Sequence, residues 1–175
     1  KSQRTTIIFS ATWSKSNYSA INNWYDKLDK IADDYNILVT VHEWTPDNIK
    51  DYLKHNQKIL YIEDKDILPY LMIADIMVGD ISSIIAEFTA LNKPVITFRI
   101  PVGGRISPEI VKMLDEITYR VNSFEEMQTA LKEIVKSEDI HQDKRKYYNK
   151  KMFGELDGKA HIRAKEEIDR FISKL

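Results

Sequence analysis

The residues Ile76-Met77-Val78-Gly79-Asp80-Ile81-Ser82-Ser83 give the clearest indication of the fold of this 175-residue chain. The first three are an uninterrupted apolar run, which is typical of a strand buried on both faces of a parallel sheet. The apolar spacing over residues 83–91 predicts a helix directly after the polar turn. The stretch therefore predicts a β-α unit, and the chain on both sides repeats its pattern.

Short apolar runs alternate with helix-like segments along most of the chain. Further strands are predicted around residues 6–10, 36–42, 59–62, 94–98 and 117–120. Further helices are predicted over residues 19–34, 45–55, 67–73 and 123–136, and a last one, over 160–175, is expected to close the core. The segment between the last two strands is interpreted as a loop. This alternation predicts an α/β fold with a doubly wound, mainly parallel sheet.

The composition predicts one domain and excludes several kinds of site. A chain of this length buries one compact core, so residues 1–175 are expected to form a single domain. The 26 basic and 27 acidic residues give a net charge of -1, so nucleic acid is not expected as a partner. The absence of cysteine excludes disulfides and thiolate metal sites. Since the chain starts without methionine directly before a strand, we expect a fragment of a longer protein.

A charged stretch over residues 137–151 has two interpretations, a basic binding patch or a solvated helix face. We favour the solvated face, because runs of charge on a helix usually face water. The residues concerned are His141, Lys144, Arg145, Lys146, Lys150 and Lys151.

Chemistry is expected where the strands end. In open parallel α/β sheets, ligands bind beyond the carboxyl ends of the strands. Four segments fall there, residues 10–13, 42–44, 80–83 and 99–105. Gly-x-Gly-x-x-Gly, Walker and nucleophile-elbow motifs are absent from the sequence. The acidic residues form no ligand pattern, and we expect neither a metal nor a cofactor.

The segment that ends in Ser82 and Ser83 is the most informative of the four. Two hydroxyls and several backbone N–H groups at a helix start suit the binding of phosphate. The alternative is that one serine only caps the helix. Glu87, four residues after Ser83, is positioned to accept hydrogen bonds from a ribose, or it is an exposed residue favoured by the helix dipole.

Other candidates lie at neighbouring strand ends. His42 would stabilise a phosphate oxygen or protonate a leaving group, although a lone histidine is often structural. Thr12 is a candidate for contacting phosphate or base. Trp13 either contacts the donor or covers the core. Arg105 would supply a cation for a diphosphate, or it is an ordinary surface arginine.

Several ordered motifs resemble the CDP-glycerol glycerophosphotransferases of teichoic acid and capsule synthesis. The strand and loop over residues 7–13 are similar to that family's apolar strand followed by Ala-Pro-Thr-aromatic, and residues 39–42 to its strand ending in histidine. Residues 73–83, followed by Glu87 and Lys93-Pro94, resemble its Ala-Asp and Asp-Tyr-Ser-Ser segment. Residues 153–160 resemble its closing Asp-Gly-Lys-Ala box. The resemblance covers nearly the whole chain.

The resemblance implies the carboxy-terminal, nucleotide-binding Rossmann-like half of a GT-B transferase. It implies that Ser82 and Ser83 contact the donor phosphates, that Thr12 and Glu87 also contact the donor, and that His42 faces the reaction centre. The implied donor is CDP-glycerol and the implied acceptor is a polyol phosphate or a saccharide. The implied reaction is attack by an acceptor hydroxyl on the glycerol-bearing phosphate, with release of CMP.

The sequence departs from the family pattern, for example with Ile81 in place of tyrosine, which leaves a nucleotide-sugar donor as an alternative. A third alternative is a non-catalytic α/β interaction domain. The other, amino-terminal half of a GT-B enzyme does not fit in this chain, so we expect the chain alone to bind nucleotide without turnover. The full-length protein is expected in the cytoplasm, peripheral at the inner face of the cell membrane.

Overall fold

The computed structural model describes residues 4–13, 18–101 and 106–174. Six parallel strands form one sheet in the order β3-β2-β1-β4-β5-β6. The strands are β1 (Thr6–Ala11), β2 (Asn36–Val41), β3 (Leu60–Tyr61), β4 (Ile76–Gly79), β5 (Val95–Phe98) and β6 (Tyr119–Val121). The predicted doubly wound parallel sheet is confirmed. Because the strand order reverses between β1 and β4, their carboxyl ends flank the crevice in which ligands of such sheets bind.

Eight α-helices connect or follow the strands in the described part of the chain. They are α1 (Ile21–Trp24), α2 (Asp47–His55), α3 (Leu68–Ile73), α4 (Ile84–Ala90), α5 (Pro108–Ile117), α6 (Phe124–Lys136), α7 (Gln142–Phe153) and α8 (Ala160–Ile172). None of them is long and apolar enough to cross a membrane.

Two apolar cores lie on opposite faces of the sheet. Along β1 the side chains alternate, so that Ile7 and Phe9 pack with α1, α2 and α6, whereas Ile8 packs with α3, α4 and α5. Strands covered on both faces lose nearly all contact with water, and the four residues of β4 are all buried. The sheet is therefore a rigid support for the loops at its carboxyl edge.

The helix expected over residues 19–34 was predicted too long. Only α1 is α-helical, and a 3₁₀ turn, Leu28–Lys30, follows it. Hydrogen bonds between residues three apart, such as Lys27 N–H to the Trp24 carbonyl at 2.9 Å, tighten the chain here. An apolar spacing of three residues fits both kinds of helix, so the sequence pattern did not distinguish them.

Helix α5 lies where a loop was predicted, between β5 and β6. Ser107 caps it by accepting a hydrogen bond from the Ile110 N–H, and Pro108 occupies the first turn. Since α5 extends to Ile117, β6 begins two residues later than predicted. The Ser-Pro pair is the sequence signal from which this helix could have been predicted.

Helix α7 is more than a solvated face, which corrects the interpretation of residues 137–151. Its lysines are exposed, but Arg145 is 0% exposed and Asn149 is buried. The Arg145 guanidinium pairs with Asp139 and donates to the Ile117 carbonyl at 3.4 Å. Asn149 donates to the Thr89 carbonyl at 2.6 Å. These bonds hold α7 against α4 and α5.

Helix α8 forms where a closing helix was expected, but it covers no core. None of its residues is buried. Ion pairs within the helix, such as Lys165 with Asp169 at 2.5 Å, and the contacts of Arg163 with Asp157 are local. The apolar side chains that predicted burial are exposed, namely Ile162, Ile168, Phe171 and Ile172.

Candidate functional site

The sequence-predicted residues meet at the carboxyl edge of β1, β2 and β4. Thr12 and Trp13 follow β1, His42 follows β2, and the serine pair, Ser82 and Ser83, follows β4. The strands β1 and β4 approach closely here, because a Cβ at Gly79 would lie 3.2 Å from the Ser10 carbonyl oxygen. Glycine therefore allows the two loops to touch.

The buried carboxylate of Asp80 joins these two loops. Asp80 is 0% exposed, and both of its oxygens accept the Thr12 N–H at 3.1 Å. It also accepts the N–H groups of Ala20 at 3.0 Å, Ile81 at 2.6 Å and Ser82 at 3.2 Å. Burial raises the pKa of Asp80, while these four N–H groups oppose that shift by stabilising the charged form. Asp80 thus fixes both ends of the loop after β1 and the turn before α4.

The hydrogen bonds of Asp80 reduce the number of backbone donors that the expected phosphate site can offer. The sequence suggested several free backbone N–H groups at the start of α4, but those of Ile81 and Ser82 are bonded to Asp80. The site is therefore built with fewer backbone donors than expected, and its polar character comes from the side chains of the serine pair.

The serine pair does not cap α4. Ser83 occupies the N-cap position but its hydroxyl makes no capping bond, and its backbone is helical instead of extended. Within the described residues, no hydrogen bond involves the hydroxyl of Ser82 or of Ser83. Ser123, by contrast, caps α6 by accepting the Glu126 N–H at 3.1 Å. The capping alternative for the serine pair is therefore wrong, and both hydroxyls are available to a ligand.

His42 has a defined tautomer. Its Nδ1 accepts the backbone N–H of Trp44 at 3.1 Å, so in the neutral ring the proton is on Nε2. The half-buried ring packs against Trp44, with centroids 5.1 Å apart, and against Trp13, with centroids 6.3 Å apart. We call Trp13, His42 and Trp44 the aromatic cluster. It orients His42 as a hydrogen-bond donor through Nε2.

The two remaining candidates are less well defined by the structure. Glu87 is exposed on α4, one turn after Ser83. Arg105 lies outside the described residues.

Arg99, at the end of β5, is engaged by Asp115 at 3.0 Å, and Arg120 shares the same carboxylate. No group of three or more acidic or histidine residues in the described segments could hold a metal ion.

A cavity of about 440 Å³ opens beside the serine pair, between α4, α5 and α7. Its volume lies in the range of small-molecule sites, about 300–1,000 Å³. Ser82 and Ser83 border it, and Tyr148 and Lys151 of α7 lie on its far side. Tyr148 and Lys151 were not predicted as neighbours of the site, because the segment between β5 and β6 was interpreted as a loop and no buried residue was predicted on α7. The remaining wall contains one acidic residue, Glu109, and is otherwise apolar, with Ile85, Ala86, Ile110, Met113, Leu114 and Met152.

Comparison with known structures identifies the fold. The chain superimposes on the wall teichoic acid polymerase TagF, in a histidine variant, with a TM-score of 0.71 and 19% identity over 99% of this chain and 45% of that chain. The UDP-N-acetylglucosamine 2-epimerase (putative) from Listeria monocytogenes superimposes with a TM-score of 0.65 and 14% sequence identity, over 99% of this chain and 47% of that chain. The CMP-Kdo binding domain of WaaA from Acinetobacter baumannii superimposes with a TM-score of 0.58 and 10% sequence identity, over 83% of this chain and 89% of that chain. The chain thus has the Rossmann-like fold of GT-B transferases.

The sequence comparisons identify the family. None of the curated proteins matches the chain. The family described as CDP-glycerol:poly(glycerophosphate) glycerophosphotransferase matches residues 1–169. The chain spans somewhat less than half of the TagF chain, 45%. With a family match over nearly its whole length and the fold of a transferase domain, the chain belongs to the CDP-glycerol glycerophosphotransferase family.

Proposed function

We propose that the serine pair binds the diphosphate of CDP-glycerol, and that the complete protein transfers glycerol phosphate to a hydroxyl of a cell-wall or capsule polymer, releasing CMP. The observation that carries the proposal is that neither serine hydroxyl has a hydrogen-bond partner in the part of the chain that the structure describes, although the turn that carries them is held by buried Asp80. The family match supports the donor, since CDP-glycerol is part of the family's description. A structure of TagF soaked with CDPG is among the similar structures.

In this proposal the residues at this edge have different tasks. The hydroxyls of Ser82 and Ser83 donate to phosphate oxygens, and charged acceptors make such bonds short and strong. Thr12, whose backbone N–H is held by Asp80, contributes its side-chain hydroxyl to donor binding in this proposal. Glu87 accepts from the ribose hydroxyls, one helical turn farther along α4. Trp13 and Arg105 complete the donor contacts in this proposal.

His42 acts as a donor in the reaction. The oxygen of the acceptor hydroxyl forms a bond to the glycerol-bearing phosphorus, and the bond from that phosphorus to the oxygen of CMP breaks. Negative charge accumulates on the phosphate oxygens and on the departing CMP, where the His42 Nε2–H stabilises it. Since Nδ1 is occupied by the Trp44 N–H, neutral His42 has no free nitrogen to accept the acceptor's proton. That proton goes to a base outside this set of residues.

We also propose that this chain is the donor-binding half of a two-domain transferase that works at the inner face of the cell membrane. Two observations support the division: TagF is about twice as long as the matched region, and α8 exposes an apolar face that a second domain would cover. On this proposal the chain by itself binds the nucleotide and does not turn it over.

Calorimetric titration of the chain with CDP, UDP and CMP tests the proposal. Tighter binding of CDP than of UDP is expected for a CDP-glycerol enzyme. Tighter binding of UDP would favour the alternative of a nucleotide-sugar transferase, a class to which the fold of glycosyltransferase SnogD points. Absence of binding by all three nucleotides at millimolar concentration would contradict both and favour an interaction domain.

A further inference from the structure

The described residues that the proposal places at the donor phosphates carry no positive charge. The serine pair offers neutral hydroxyls, and the turn that carries it is held by the Asp80 carboxylate, which is an anion. Arg99, at the end of β5, is already engaged by Asp115 at 3.0 Å. A carboxylate repels a diphosphate unless a cation offsets the two negative charges. A cation from a neighbouring helix would therefore complete the site.

Helix α7 runs antiparallel to α4 and brings its last turn toward the serine pair. Near the start of α7, Arg145 donates to the carbonyl of Asn92, which follows α4, at 3.5 Å. One turn later, Asn149 donates to the carbonyl of Thr89, inside α4, at 2.6 Å. The contacts thus move toward the start of α4 as α7 proceeds. Lys151, in the last turn of α7, lines the cavity that the serine pair borders.

Lys151 has a charge that the protein leaves uncompensated in the part of the chain that the structure describes. Its side chain is exposed and forms no ion pair with a described residue. Lys144, on the same helix, pairs with Glu116 at 3.3 Å. Glu109, the acidic residue of the cavity wall, lies in the first turn of α5, where a hydrogen bond from Ser107 lowers its pKa. Lys151 is therefore available to an anionic ligand in the cavity.

The wall of the cavity favours such a contact. Apart from Glu109 it is apolar between the serine pair and Lys151, with Met113 and Met152 among its residues. Apolar surroundings weaken dielectric screening, so an ammonium group attracts a phosphate more strongly there than in open water. A lysine also places a compact charge on a long, flexible side chain, which can follow a phosphate across a cavity.

We propose that Lys151 binds the phosphates of the nucleoside diphosphate donor from the α7 side, opposite the serine pair. The inference rests on the proposed function and adds to it the counter-charge that the serine hydroxyls do not supply. It also separates Lys151 from the other lysines of α7, whose interpretation as a solvated face stays unchanged.

Calorimetric titration with CDP tests this inference in Lys151→Ala, with Lys150→Ala as the matched control. Lys150 is the adjacent residue, is also exposed and also forms no ion pair with a described residue, but it lines a different cavity, with Asn92 and Gly154. Both variants lose one positive charge. At about 0.15 M salt, charges more than about 8 Å apart are largely screened, so a difference between the variants reports a direct contact.

Lys151→Ala should bind CDP about tenfold more weakly than the wild type, or weaker still, as expected for the loss of a hydrogen bond to a charged group. Lys150→Ala should stay within about twofold of the wild type. Lys151→Gln, which keeps most of the side-chain length without the charge, should lose as much affinity as Lys151→Ala. Lys151→Arg should recover affinity to within about threefold of the wild type, because a guanidinium also binds phosphate.

The outcomes distinguish this inference from the proposed function. Equal CDP affinity of Lys151→Ala and Lys150→Ala, or of Lys151→Gln and the wild type, overturns the inference and leaves the serine pair as the donor site. Failure of Lys151→Arg to bind more tightly than Lys151→Gln also overturns it, because the charge would then not be what matters. Absence of CDP binding by the wild-type chain would overturn the proposed function together with the inference.

Discussion

Asp80 holds the backbone N–H of Thr12 with both carboxylate oxygens, each 3.1 Å from the nitrogen, although 68 positions separate the two residues. The same carboxylate accepts the N–H of Ala20, at the other end of the loop that begins with Thr12. One buried side chain therefore sets the position of two loops that carry the proposed donor contacts. Asp80 is a positioning residue, since its oxygens face backbone N–H groups.

Replacing Asp80 with asparagine should destabilise the protein by about 1–3 kcal/mol, because the new NH₂ group cannot accept a hydrogen bond and leaves at least one buried backbone N–H group, that of Ala20, unpaired. Urea denaturation followed by tryptophan fluorescence measures the loss. Asp75→Asn is the control: exposed Asp75 accepts the Thr6 N–H at 2.8 Å, and an amide oxygen can still do so. Equal stability of Asp80→Asn and wild type would show that the hydrogen bonds accepted by Asp80 contribute little to the free energy of unfolding.

The tautomer of His42 is open to direct observation. Long-range proton–nitrogen NMR spectra should show a neutral ring protonated on Nε2, because the Trp44 N–H occupies Nδ1. The role of His42 as a donor depends on that assignment. A spectrum of the Nδ1-protonated form would mean that Nε2 is free to accept a proton. His42 could then take the proton of the acceptor hydroxyl, and no other base would be required.

Arg145 should be the most sensitive position on α7. Burial lowers the pKa of Arg145 to about 10, and Asp139 compensates its charge. Arg145→Met should cost about 3 kcal/mol, since it leaves a partly buried carboxylate unpaired. Lys146→Met removes an exposed pair with Asp143 and should change stability by less than about 0.5 kcal/mol. Similar denaturation midpoints for the two variants would contradict a stabilising role for the buried Arg145 and its pair with Asp139.

Removal of residues 160–175 should leave the rest of the chain folded. Since no residue of α8 is buried, the free energy of unfolding should change by less than about 0.5 kcal/mol. Urea denaturation of the shortened chain measures this. A large loss of stability would mean that α8 does close the core, as its apolar spacing had suggested.

Local patterns predicted the sheet well, for physical reasons visible in particular elements. The apolar run before Asp80 is fully buried because helices cover both sides of β4. The helix predicted over residues 123–136 also begins where expected, because Ser123 caps it, while Glu126 accepts the N–H of Asn122 at 2.7 Å. These features depend on residues close in sequence, which a single sequence displays directly.

The details of the site depend on long-range contacts and were less predictable. That Asp80 would bond Thr12 and Ala20, and so remove backbone donors from the phosphate site, follows only from the close approach of β1 and β4. The burial of Arg145 likewise depends on α5, which was interpreted as a loop. Apolar spacing predicted that α8 is amphipathic, but it carries no information on which surface covers it.

Calorimetric titration of Ser82→Ala/Ser83→Ala with CDP measures whether the serine pair binds the donor phosphates. Because neither hydroxyl caps α4, the double variant should keep its free energy of unfolding within about 0.5 kcal/mol of wild type. Ser123→Ala, the control, should lose about 1 kcal/mol of stability and keep its CDP affinity. If the serine pair binds the donor phosphates, the double variant should bind CDP at least about tenfold more weakly than the wild type, equivalent to about 1.4 kcal/mol. Equal affinity of the double variant and the wild type for CDP would contradict phosphate binding by the serine pair.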